Sequence, residues 1–158
     1  GVYLATDKQV VDNTTFVEHA APECRSRQVY KGVLDGQSRG VFQGKVHVLR
    51  DAQKTDGHQM SRALLLSPRA EIDARPELEI YADDVKCSHG ATAGELDEDL
   101  MFYLLSRGIP RQEARRMLIE AFLSEAIAEI PLAQVAEDFT THVRQWLADN
   151  VDVSDGKV

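Results

Sequence analysis

The sequence is poor in cysteine, in aromatics and in positive charge. Cys24 and Cys87 are its two cysteines in 158 residues. That is too few to staple a disulfide scaffold, so both are read as free thiols in a reducing cytoplasm. Aromatic residues make up 6%, which leaves a mostly aliphatic core. A net charge of −8 excludes a general nucleic-acid binder, which needs a basic face, and excludes adhesion to an anionic membrane surface. The longest apolar runs, such as Ala63–Leu66 and Met101–Leu105, fall far short of the ~18 residues needed to cross a bilayer. No secretion signal is read either, and the expected location is cytoplasmic.

What is present fits an ordinary globular domain. Hydrophobic residues are 43% and charged residues 28%, and the length is enough for one domain with a real core. The charge is uneven. Residues 1–96 carry 14 acids and 12 bases, whereas residues 97–158 carry 12 acids and 6 bases. The second part is therefore the acidic end, which is either a solvated helix face or a surface for a basic partner.

Residues 1–94 read as short strands. Gln9–Glu18 carries Val10, Val11, Thr14, Thr15, Phe16 and Val17, all good strand formers. Glycines at 32, 36, 40 and 44 are read as tight turns between short strands at Val29–Val33, Val41–Phe42 and Val46–Leu49. Lys54–Gln59 is read as a polar loop, followed by Leu64–Leu66 and a turn at Ser67-Pro68. Ala70, Ile72 and Ala74 then alternate with Glu71 and Asp73, and Leu78, Ile80 and Ala82 repeat the pattern. Strands recurring every 7–10 residues or so suggest a sandwich, a barrel or a β-solenoid.

Helical signals take over near Gly94. Asp97, Glu98 and Asp99 suit the positive end of a helix dipole, and Leu96, Leu100, Met101, Leu104 and Leu105 form its apolar stripe. Gly108 is the natural stop. Pro110 opens a second helix carrying Ala114, Met117, Leu118, Ala121, Phe122, Ile127 and Ile130, and Pro131 breaks it. A third helix places Val135, Phe139, Val143, Trp146 and Leu147 on one face, with a frayed tail from Asn150. The expected units are a strand region 1–94, a helical subdomain 95–150 and a tail 151–158.

Candidate chemistry lies at the changeover, in Lys86-Cys87-Ser88-His89-Gly90-Ala91-Thr92. In a strand, residues two apart share a face, so Cys87 and His89 sit together and Ser88 points away. A thiolate beside an imidazole is part of a site for iron or zinc. Two ligands do not close one, and the remainder must come from elsewhere in the chain or from a partner. Cys24 is a weaker candidate, and His19, His47, His58 and His142 read as surface or core. Glu71 and Asp73 share a face, but it is the solvent face, which argues against a carbohydrate enzyme built on paired carboxylates.

The run Leu78–Thr92, continued by Phe102-Tyr103-Leu104-Leu105-Ser106-Arg107-Gly108-Ile109 and by Ala114-Arg115-Arg116-Met117-Leu118, resembles the SufD family. Tyr30–Gly36 and Arg39–Lys45 extend the likeness over nearly the whole chain. Ser88-His89-Gly90-Ala91-Thr92 stands where the sister SufB family has Glu-His-Glu-Ala-Thr, which favours SufD. The resemblance implies a scaffold of the SUF iron–sulfur cluster assembly system, not an enzyme. It implies a β-solenoid, a β-helix of short stacked strands, followed by a C-terminal α-helical subdomain, in a fragment of a longer protein. It also implies a SufB-like paralogue as partner and a SufC-like ABC ATPase bound through Phe102, Tyr103, Arg107, Gly108 and Ile109. His89 and, less directly, Cys87 then serve a nascent iron–sulfur cluster or iron that is held only transiently, with no stably bound cofactor. The competing reading is a structural protein–protein interaction module with no part in cluster chemistry. A solenoid with an open end exposes unpaired strand, so the isolated chain is expected to self-associate, as a homodimer for instance, or to cover that end with its own N-terminal segment.

Overall fold

The computed structural model describes residues 1–154. Its first part is a parallel β-solenoid of seven strands: β1 (Val2–Ala5), β2 (Val10–His19), β3 (Arg25–Leu34), β4 (Arg39–Val48), β5 (Asp56–Leu65), β6 (Glu71–Ile80) and β7 (Lys86–Gly94). Odd strands stack into one sheet in the order β1-β3-β5-β7, here sheet A, and even strands into sheet B in the order β2-β4-β6. The chain thus alternates between two parallel sheets that face each other across a narrow lumen. Three helices follow: α1 (Glu98–Ser106), α2 (Arg111–Ile127) and α3 (Ala133–Ser154).

The register explains the alternation. Val11, Gly40 and Ile72 stack on one another in sheet B, as do Val17, Val46 and Leu78, and all face inward. The outward row Arg39, Asp73, Lys45 and Glu79 forms cross-strand ion pairs, Arg39 with Asp73 and Lys45 with Glu79. The two alternating runs at 70–74 and 78–82 belong to one strand, β6, because their inward parity passes unbroken through Pro76. Pro76 lies on the last strand of sheet B, where a missing N–H costs no ladder bond.

Three of the four regularly spaced glycines correct the expected turns. Gly32, Gly40 and Gly44 lie inside ten-residue strands and face inward. A Cβ on Gly32 would fall 2.1 Å from the ring of Tyr3 on the adjacent strand, so these are points of close packing inside the lumen. Gly36 alone is a turn residue, at φ +64°. The expected loop at Lys54–Gln59 is also corrected, since β5 begins at Asp56.

The helices cover the outside of sheet A. Val33 and Leu64 face outward and pack against Ile119, Leu123 and Ile127 of α2 and Val143, Leu147 and Val151 of α3. Burying each such side chain contributes about 1.5–3 kcal/mol. A polar anchor sits at the edge of this interface. Lys31, 1% exposed, donates from Nζ to the Phe122 carbonyl at 2.6 Å, lies over the Phe122 ring, and pairs with Glu125.

The helical faces differ in part from the expected ones. Ile119 and Leu123 are buried on α2, whereas Met117 is exposed. On α3, Val143 and Leu147 are buried but Val135 and Phe139 are open to solvent. The tail expected from Asn150 is instead helical to Ser154, because Val151 is drawn into the interface with sheet A. Residues 155–158 of the expected tail lie outside the described residues.

Candidate functional site

β7 is the final strand of sheet A, while sheet B stops at β6. Among the described residues no strand pairs with the free edge of β7. Its register on β5 sets Cys87 beside Gly57, Ser88 beside His58, and His89 beside Gln59. Gly57 and Gln59 face the lumen, so Cys87 and His89 leave the sheet on the lumen side and Ser88 on the outer side. Ser88 Oγ hydrogen-bonds His58 Nδ1 at 2.7 Å, and His58 Nε2 lies 2.8 Å from Asp56 Oδ1. That pair of contacts ties His58 to the outer surface, away from the lumen.

The two candidate residues have different surroundings. His89 is exposed at the open end. Cys87 is half-buried against Val46, Val48, Ala52 and Ala82. Burial pushes its thiol up from the ordinary range, with a Gly57 backbone hydrogen bond working against this and the Asp56 charge adding to it. At neutral pH Cys87 is therefore a protonated thiol, a weaker ligand than a thiolate. No group of three or more His, Cys, Asp or Glu capable of holding a metal occurs among the described residues. Cys24 is a half-buried free thiol in the turn between β2 and β3, and no such group includes it. The Cys87–His89 pair is half of a site.

The lumen beneath this pair is polar. His19 is buried and hydrogen-bonds Ser26 Oγ at 2.8 Å, and Ser26 lies under Gly57 and Cys87 in register. In the neighbouring column, Gln28, Gln59 and His89 stack on successive strands, with Thr15 Oγ1 donating to Gln28 Oε1 at 3.1 Å. Gln59 was hidden from sequence reasoning inside what looks like a polar loop. The parity of Gly57, Gln59, Ser61 and Ala63 with Cys87 and His89 is the signal that identifies it.

The second candidate surface is α1. Asp97 caps it, accepting from the N–H groups of Asp99 and Leu100 at 2.9 and 3.0 Å. At its other end Gly108 takes φ +81°. Its N–H donates to the Leu105 carbonyl and the Ile109 N–H to that of Leu104, the Schellman arrangement that glycine permits. Met101 alone of the helix is buried. Phe102, 73% exposed, and Tyr103, 52% exposed, project outward with Leu100, and Arg107 stacks on the Tyr103 ring at 4.9 Å. Phe102, Tyr103, Arg107, Gly108 and Ile109 thus lie together at the end of one short helix. An apolar row so exposed is a surface suited to a partner.

Comparison with known proteins fits this architecture. Residues 1–122 match the family model described as SUF system FeS cluster assembly, SufBD core domain. The chain is 47% identical over 134 residues to the iron–sulfur cluster assembly protein SufD of Escherichia coli, covering 83% of this chain and 32% of that protein. It is 41% identical over 146 residues to the chloroplastic protein ABCI7 of Arabidopsis thaliana, covering 92% of this chain and 31% of that one. A SufBD family iron–sulfur cluster assembly protein of Synechocystis is 44% identical over 132 residues, with 84% and 29% covered. The chain spans about a third of the length of these relatives. No helix among the described residues is long and apolar enough to cross a membrane. With its stacked parallel strands, its terminal helices and its match to the core-domain model, the chain belongs to the SufBD family of the SUF iron–sulfur cluster assembly system, as a SufD-like segment.

Proposed function

We propose that this segment is one half of a non-enzymatic scaffold on which an iron–sulfur cluster is assembled in the cytoplasm. It presents His89 to the nascent cluster at a junction with a SufB-like paralogue. The observation that carries this reading is β7. An imidazole stands exposed on the lumen side of a strand whose outer edge is unpaired among the described residues. A neutral imidazole ligates iron, and a half-site of two groups needs a second subunit to complete it. The free edge of β7 supplies the backbone donors and acceptors for strand addition by that subunit. The cluster is cargo, held transiently, and no stably bound cofactor is required. The same edge leads the isolated chain to self-associate, which size-exclusion chromatography reads directly.

The exposed row on α1 is the docking surface for a SufC-like ATPase, with Phe102 and Tyr103 as apolar anchors and Arg107, Gly108 and Ile109 beside them. This surface lies on the helical subdomain, apart from β7, so nucleotide-driven movement of the ATPase reaches the junction through the packed sheet A.

A specific observation supports the purely structural reading for one of the two residues. Cys87 is half-buried among aliphatic side chains with its thiol pKa raised, which suits packing better than ligation. His89 is therefore the principal ligand and Cys87 the auxiliary one. The test is His89→Ala in the full-length protein. Cluster maturation is abolished while co-purification with the paralogue and the ATPase persists. Normal maturation in that variant removes His89 from the mechanism.

A further inference from the structure

Gln59 is 2% exposed, and both its Nε2 and its Oε1 lack a hydrogen-bond partner among the described residues. A buried polar atom left unpaired costs about 1–3 kcal/mol, so an amide with two such atoms calls for a physical explanation. Gln59 sits on β5 directly below His89 of β7. We propose that Gln59 is a positioning residue for His89. Its side-chain carbonyl accepts the proton of one imidazole nitrogen and leaves the lone pair of the other directed at the junction. This inference rests on the reading of His89 as a cluster ligand.

The neighbours of Gln59 narrow the choice of partner. On the preceding strand, Gln28 has its Oε1 engaged by Thr15, and its buried Nε2, also without a partner, makes no bond to Gln59 Oε1. Across the lumen stands Gly44, which brings no side chain at all. A Cβ at Gly44 would fall 2.3 Å from Gln59 Nε2, so glycine opposite is what lets the amide lie across the lumen. On the following strand stands His89. Adjacent strands are about 4.8 Å apart, within reach of two long side chains on the same face. Among the described residues the His89 ring has no hydrogen-bond partner, and it is exposed, so it is free to turn onto the amide. Two unpaired groups, one buried and one exposed, are thus stacked on consecutive strands.

The chemistry suits a ligand. A metal-binding imidazole commonly donates its second N–H to an oxygen, which fixes its tautomer and its direction. An amide does this with no charge and no titration of its own, so the arrangement holds across the pH range in which histidine is neutral.

Ring nitrogen-15 NMR of His89 in this chain, well above the ordinary histidine titration range, is the direct test. In the wild type one ring nitrogen keeps the proton. In Gln59→Leu the two nitrogens average, whereas Gln59→Glu, which keeps an acceptor oxygen at the same reach, retains the single tautomer. Gln59→Leu should melt no lower than the wild type, since the lost bond to His89 is offset by removal of the buried, unpaired Nε2. In the full-length complex, Gln59→Leu lowers cluster maturation by about 10–100-fold, and Gln59→Glu restores it. An unchanged His89 tautomer in Gln59→Leu overturns the inference and assigns the amide to an ordered water instead. If His89→Ala matures clusters normally, the ligand reading fails whatever the NMR shows. If His89→Ala is inactive and Gln59→Leu is indistinguishable from wild type in both readouts, the positioning role alone fails.

Discussion

The two outer faces of the solenoid are built on the same parallel ladder and have opposite fates. Sheet B turns Arg39, Lys45, Asp73 and Glu79 to solvent as cross-strand ion pairs. Sheet A turns Val33 and Leu64 outward, and α2 and α3 lie on them. Away from the open end at β7 the lumen side of both sheets is packed, so the difference lies in the outward residues. A charged outward row keeps one face bare, and an aliphatic outward row recruits the helical subdomain. That subdomain carries the exposed α1 surface, so the outer face of sheet A also links the open end at β7 to the proposed ATPase contact.

The largest expected effect tests this asymmetry. Leu123→Ala, at the centre of the covered face, is expected to lower the unfolding free energy by about 2–5 kcal/mol in chemical denaturation. The matching truncation on the bare face, Val10→Ala, should stay within about 0.5 kcal/mol. Similar losses at both sites would break the comparison.

The same contrast explains what could be read from the sequence. Sheet B is polar on one side, so its strands alternate cleanly, and Ile72, Ala74, Leu78 and Ile80 are legible as an inward row. Sheet A is buried on both sides over part of its length. Runs such as Val33-Leu34 and Ala63–Leu66 therefore lose the alternation. Gly40 and Gly44 look like turns because inward glycine and turn glycine are alike in sequence, and here the inner spacing decided in favour of packing. The stop of helix α1 at Gly108 was legible to the residue and its start only as the acidic run Asp97-Glu98-Asp99, of which Asp97 is the cap. The buried faces of α2 and α3 were legible only in part. Ile119 and Val151 are buried because they continue the rows Ile119-Leu123-Ile127 and Val143-Leu147-Val151, spaced by four residues, that face sheet A, and in sequence the α2 row is not distinguished from its apolar neighbours Met117, Leu118 and Phe122. The placement of Cys87 and His89 on one face followed from strand parity. The column beneath them did not, because it needs the register between β5 and β7.

A smaller effect probes the polar edge of the covered face. A hydrogen bond from Lys31, then the Lys31 charge, hold the Glu125 carboxyl below its ordinary range. A carboxyl with a lowered folded pKa contributes stability above its unfolded value of about 4.3, and the contribution is lost as pH falls through the lowered folded value. Glu125 is solvent-exposed on its outer side, so the gain is under about 1 kcal/mol. Wild type should melt above Glu125→Gln at neutral pH, and the two should converge in acid. A gap that persists in acid would assign the difference to packing and not to charge.

The smallest effect concerns Cys87. Its raised thiol pKa predicts slower alkylation at neutral pH in the folded chain than in the unfolded one. Equal rates would mean that the thiol is as open and as acidic as a free cysteine, and would restore it to equal standing with His89.

The most direct measurement is anaerobic reconstitution of the full-length protein with the proposed SufB-like and SufC-like partners, followed by absorption and Mössbauer spectroscopy of wild type and His89→Ala. An intact complex that forms a cluster in the wild type and none in the variant is the predicted result. A variant complex with the same cluster, in the same yield and with the same spectrum, would contradict the account.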